Sequence, residues 1–94
     1  MTNLIWRPGF VRKFKRLVKK NPQLRSSIEE VLQLLTEDPF NSSLRTHKLK
    51  GDLERVWSCS IGYDNRILFE FIVNSDSGQE DIFLLTIGSH DDVY

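Results

Sequence analysis

The hydrophobic spacing of this chain changes once along its length, and that change divides it into a helical half and a stranded half. Phe10, Val11, Phe14, Leu17 and Val18 recur at the spacing of one helix face, with Arg12, Lys13, Lys15, Arg16, Lys19 and Lys20 on the other sides. Asn21-Pro22 then resets the chain. Asparagine is a good helix cap and proline suits a first helical turn, so a second helix is predicted there. Its apolar stripe is Leu24, Ile28, Val31, Leu32 and Leu35, and it ends before Pro39. From residue 46 onward the period becomes two. Trp57, Cys59 and Ile61 fall on one face of a strand, with Val56, Ser58 and Ser60 on the other. Gly62-Tyr63-Asp64-Asn65 reads as a turn, Arg66 to Val73 as the next strand with Ile67, Phe69, Phe71 and Val73 inward, Asn74 to Gln79 as a polar loop, and Ile82 to Ile87 as the last strand. Asn3 to Trp6 alternates as well and stops at Arg7-Pro8-Gly9, which makes it a short first strand.

The expected fold is therefore α+β: an N-terminal strand and a two-helix hairpin packed on one face of a twisted, mainly antiparallel sheet of about four to five strands. With 94 residues the chain has enough surface to bury one modest core, so residues 1–94 are expected to form a single domain. The opposite sheet face, with Ser58, Ser60, Arg66 and Thr86, is expected to be polar and open to a ligand.

Zero net charge conceals a strong asymmetry. Residues 1–28 carry eight lysines and arginines and no acid, so a +8 segment is joined to a −8 segment. Such a division points to a polyanionic partner on one face. Arg12, Lys13, Arg16, Lys19 and Lys20 are the candidates for that contact, with nucleic acid or an acidic protein surface. Neither a membrane-spanning run nor a signal-peptide stretch is visible, so a cytoplasmic location with no membrane partner is expected. The single Cys59 lacks a disulfide partner and reads as a small core residue. No metal and no cofactor are expected.

Three polar stretches are not required by the fold: His47-Lys48-Leu49-Lys50-Gly51, Asp64-Asn65-Arg66, and Gly88-Ser89-His90 with its tail to Tyr94. The start of one strand and the end of another can share a sheet edge, so these stretches are candidates to converge. The patterns His47-x-Leu49-x-Gly51, Asp64-x-Arg66-Ile67-Leu68-Phe69 and Ile87-Gly88-Ser89-His90-x-x-x-Tyr94, in this order, resemble the RelE/ParE toxin superfamily, and within it the YafQ-like mRNA interferases. The resemblance covers nearly the whole chain.

This resemblance implies a RelE-like fold and the toxin of a type II toxin–antitoxin system. It implies a ribosome-dependent endoribonuclease that cuts mRNA by attack of a 2′-hydroxyl on the adjacent phosphate, giving a 2′,3′-cyclic phosphate without a metal. The implied partners are the ribosome, mRNA and a cognate antitoxin, with a free monomer that becomes a hetero-oligomer on antitoxin binding. His47 and His90 would share the two proton transfers, in an order left open, because an imidazole with pKa near ~6.5 serves either role. Arg66 would hold the phosphate. Asp64 would orient a histidine or donate a proton, and Tyr94 would stack on a base or touch the phosphate. Lys48, Lys50, Ser60 and Thr86 complete the expected substrate surface. Two positions depart from the pattern: Ser60 stands where YafQ-like enzymes have a histidine, and Thr86 where they have an arginine. Two alternatives follow from the same likeness, a ParE-like gyrase inhibitor that works by contact alone and a catalytically degenerate module that only binds antitoxin.

Overall fold

The computed structural model describes residues 2–51, 55–89 and 93. Five strands, two helices and a short 3-10 turn follow one another as β1 (Leu4–Trp6), α1 (Pro8–Lys20), α2 (Leu24–Glu37), the turn at Ser42–Leu44, β2 (His47–Lys48), β3 (Trp57–Ile61), β4 (Asn65–Val73) and β5 (Glu80–Ser89). The strands form one sheet in the order β1-β5-β4-β3-β2. Among the described residues the β1–β5 pair alone is parallel. This is the α+β architecture expected, with the N-terminal strand returning to lie beside the last one.

Proline at the first turn of α1 supplies the fixed φ that a helix start favours, and Lys19 and Lys20 occupy its last turn, where cations complement the helix dipole. Asn21 does not cap α2. Its backbone N–H closes α1 on the Leu17 carbonyl, its own carbonyl receives Leu24 N–H, and α2 begins after Gln23. The asparagine–proline pair thus serves the turn between the helices, and α2 starts later than the spacing suggested.

Phe10 from α1 and Ile28, Leu32 and Leu35 from α2 bury themselves against Cys59, Ile61, Ile67, Phe69, Ile82, Leu84 and Ile87 from the sheet. Phe40, Trp57 and Phe71 form an aromatic cluster beside this core, with ring centroids 5.4 to 5.8 Å apart. The expectation for Val73 fails. It is 66% exposed, because it pairs with Glu80 at the hairpin end, past Phe71, the last β4 side chain packed on the core.

A bulge interrupts β5. Leu68 pairs with Thr86 but Phe69 pairs with Leu84, so Leu85 is the extra residue. The inward sequence along β5 therefore runs Ile82, Leu84, Ile87 rather than at strict intervals of two. The β4–β5 loop is held by Asn74, whose side-chain oxygen accepts from the N–H groups of Asp76 and Ser77 and whose amide donates to buried Asp81.

Cys59 is fully buried. Desolvation pushes its thiol from 9.0 up to about 12, against smaller opposing effects of a hydrogen bond with the Ile67 backbone and the Arg66 charge. The unfolded chain releases this proton near 9.0 while the folded chain keeps it, so the thiol's contribution to stability is intact below pH 9 and fades as pH rises toward 12. The expected result is that stability falls more steeply over this range in the parent than in Cys59→Ala, by at most about 1.4 kcal/mol per pH unit, in urea titrations. Parallel slopes would refute the assignment.

Candidate active site

The sheet register gathers the first two polar stretches onto one face. His47 pairs with Ser58, Ser58 with Leu68 and Leu68 with Thr86, which forms one row across four strands. Ser60, Arg66 and Gly88 form the neighbouring row. Paired residues share a face and Ser58 and Ser60 are two apart on β3, so His47 and Arg66 lie on the same side of the sheet. Two strand spacings and two residues separate them, a Cα distance of roughly 12 Å.

Local backbone geometry sets the ring of His47. The 3-10 turn ends on Arg45, which takes a left-handed conformation with φ 51°. Its carbonyl lies 3.0 Å from His47 Nδ1. A carbonyl oxygen only accepts, so Nδ1 carries the proton and the lone pair of the neutral ring resides on Nε2. The side chain is exposed.

Arg66 is the second residue of β4, just after the turn, and half-buried. Its Nη1 donates to the carbonyl of Asn65 at 2.9 Å and of Tyr63 at 3.4 Å. Two carbonyls from the turn thus fix one edge of the guanidinium, and among the described residues it forms no salt bridge. Asp64 is exposed on the same turn.

The other expected substrate residues are distributed less simply. Ser60 is only 8% exposed and Ser58 is fully buried, so the polar face is not open along its whole length. Hydroxyls are small enough to be enclosed where lysines would have to reach water, and this part of the face is covered. Thr86 accepts a 2.9 Å hydrogen bond from Lys13 Nζ, which ties α1 to the site row. Lys48 pairs with Trp57 and so alternates away from His47. It lines a hollow of about 580 Å³ with Arg55, Trp57 and Phe71. Lys50 is exposed beyond the end of β2. His90 and Tyr94 lie outside the described residues. The five α1 cations Arg12, Lys13, Arg16, Lys19 and Lys20 are all exposed. Among the described residues no three of His, Cys, Asp and Glu gather as a metal-binding group.

Tyr63 was not singled out by sequence reasoning. It is 98% exposed at the tip of the β3–β4 turn, and its carbonyl helps hold Arg66. An aromatic inside a glycine–aspartate–asparagine turn has no core to serve, and that was the available signal.

A family model described as a bacterial toxin of type II toxin–antitoxin system, YafQ, matches residues 3–94. The chain belongs to the YafQ toxin family. It is therefore a type II toxin. Solved structures agree on the fold. A metal-bound toxin from Helicobacter pylori is 25% identical over the whole of both chains, with a TM-score of 0.76. YafQ from E. coli is 11% identical over 100% of this chain and 99% of its own, with a TM-score of 0.79. YafQ in the E. coli DinJ–YafQ toxin–antitoxin complex is 12% identical over 99% and 97%, with a TM-score of 0.77. Comparison with curated proteins found no match. No helix among the described residues of this YafQ-family toxin is long and apolar enough to cross a membrane.

Proposed function

We propose that this toxin is a metal-independent endoribonuclease that cuts mRNA on the ribosome, in the cytoplasm, and is silenced by a cognate antitoxin. The observation that carries the reading is the pairing, on one sheet face, of an imidazole whose Nε2 is the proton-accepting nitrogen with a guanidinium that, among the described residues, no carboxylate meets. In this reading His47 Nε2 removes the proton of the 2′-hydroxyl. The 2′ oxygen attacks the adjacent phosphorus, a 2′,3′-cyclic phosphate forms, and the bond to the 5′ oxygen breaks. His90 returns a proton to that 5′ oxygen; β5 delivers the chain at Ser89 to the level of Asn65, one residue before it. Arg66 holds the phosphate as its charge grows in the transition state, the stage at which a fixed cation counts most. Asp64 orients a histidine or donates a proton to the leaving oxygen, and Tyr63 and Tyr94 offer aromatic faces to the flanking bases.

The DinJ–YafQ complex supports a protein antitoxin as the partner; in this reading the toxin is a monomer when free and a hetero-oligomer with its antitoxin. Primer-extension mapping of mRNA ends after induction tests the reading. Cuts inside translated codons are expected, absent with His90→Ala. Growth arrest with intact mRNA and broken DNA would instead select the gyrase-directed alternative, and unimpaired growth the module that only binds antitoxin.

A further inference from the structure

Where α1 runs past the end of β5, a cavity of about 310 Å³ is lined by Lys13, Arg16, Leu17, Lys20, Ile87 and Gly88. The three cations follow one another at intervals of three and four residues, so they form a single stripe of the helix. Arg12, Lys15 and Lys19 belong to other faces and do not line it. Among the described residues no carboxylate lines it either, and Leu17 and Ile87 give it an apolar floor. Three positive charges held around one concavity repel each other unless an anion occupies it, and a concave, partly apolar wall concentrates their field. Thr86 accepts from Lys13 without neutralising it.

The place of this cavity in the sheet gives it meaning. The pairing of β1 with β5 ends at Leu84, so beyond that residue the flank of β5 faces α1 rather than a strand. On its other flank, Gly88 is the ladder partner of Arg66. One residue without a side chain thus separates the cavity from the strand that carries the phosphate-holding arginine.

We propose that this cavity is a second phosphate subsite, which takes a phosphate of the same RNA strand next to the one held at Arg66. The inference rests on the ribonuclease reading and assigns three helix cations to the substrate rather than to the ribosomal RNA. The remaining outward cations, Arg12, Lys15 and Lys19, are left for the ribosome.

The test compares two double variants of equal charge on the same helix: Arg16→Gln with Lys20→Gln inside the cavity, and Lys15→Gln with Lys19→Gln outside it. The probe is a trinucleotide made uncleavable by 2′-O-methyl groups, titrated into the full chain, so the outcome does not depend on catalysis. The inner pair is expected to weaken binding by about tenfold or more, the factor that even one charge-assisted hydrogen bond to a phosphate supplies, and the outer pair by far less. Replacing the phosphate beside the scissile one with an uncharged methylphosphonate should cost the parent about the same factor and the inner variant almost nothing, because the interaction is already gone. Equal losses from both double variants would overturn the subsite in favour of diffuse attraction. Unchanged trinucleotide affinity with weakened ribosome binding would assign the cavity to ribosomal RNA. A parent chain that binds no trinucleotide removes the subsite too, whereas trinucleotide binding with no cuts in the mRNA mapping would remove the nuclease reading and leave the subsite standing.

Discussion

His47→Ala is expected to slow mRNA cleavage by about 10²–10⁴-fold, the usual contribution of a positioned general base, while leaving the urea midpoint close to that of the parent. The side chain is exposed, so its removal opens no cavity. What disappears is the Nε2 lone pair that the Arg45 carbonyl directs by holding Nδ1 protonated. The loss should lie in kcat, with KM almost unchanged, because proton removal matters only in the transition state. A variant that cuts at the parent rate, or one whose defect lies entirely in KM, would remove His47 from the chemistry.

Phe69→Ala should be strongly destabilising, with its unfolding midpoint well below that of the parent. The ring is fully buried, lies 5.4 Å from Phe71, and sits on the central strand between Trp57 and Leu84. Truncating a phenylalanine in such surroundings costs about 3–5 kcal/mol, through the transfer energy forgone and the cavity left behind. A domain of this size is stable by about 5–15 kcal/mol, so much of the margin disappears. Urea or thermal denaturation followed by circular dichroism measures the loss. A decrease under about 1 kcal/mol would show that neighbouring side chains collapse into the space, contrary to a close-packed core.

The architecture was legible because each element carried a strong period. The apolar stripes of α1 and α2 and the alternation of Trp57, Cys59 and Ile61 each allow one secondary structure, and all three are present. Boundaries were less legible where one residue suits two roles. Asn21-Pro22 serves a helix end as well as a helix start, and the choice was made by backbone hydrogen bonds that no spacing reveals. Val73 continued a pattern whose physical cause, the covering helices, had already ended. At the candidate site, strand order suggested that His47 and Arg66 come near each other, and the register was needed to place both on one face. The burial of Ser58 and Ser60 was hidden, because alternation tells which side a residue takes and not whether that side is covered. Nor does spacing show that Lys13 reaches across to Thr86, or that Lys13, Arg16 and Lys20 enclose a cavity.

The extra residue at Leu85 makes β5 two half-strands of opposite phase. The first half answers to the core through Ile82 and Leu84, and the second carries Thr86 and Gly88 on the side of Arg66 while Ile87 points inward. If β5 alternated strictly through Leu85 instead of bulging there, everything after it would turn to the other face, expelling an isoleucine into water and driving a threonine hydroxyl into oil. The bulge therefore takes up the odd residue locally, so that the scaffold half and the working half of one strand both keep their facing.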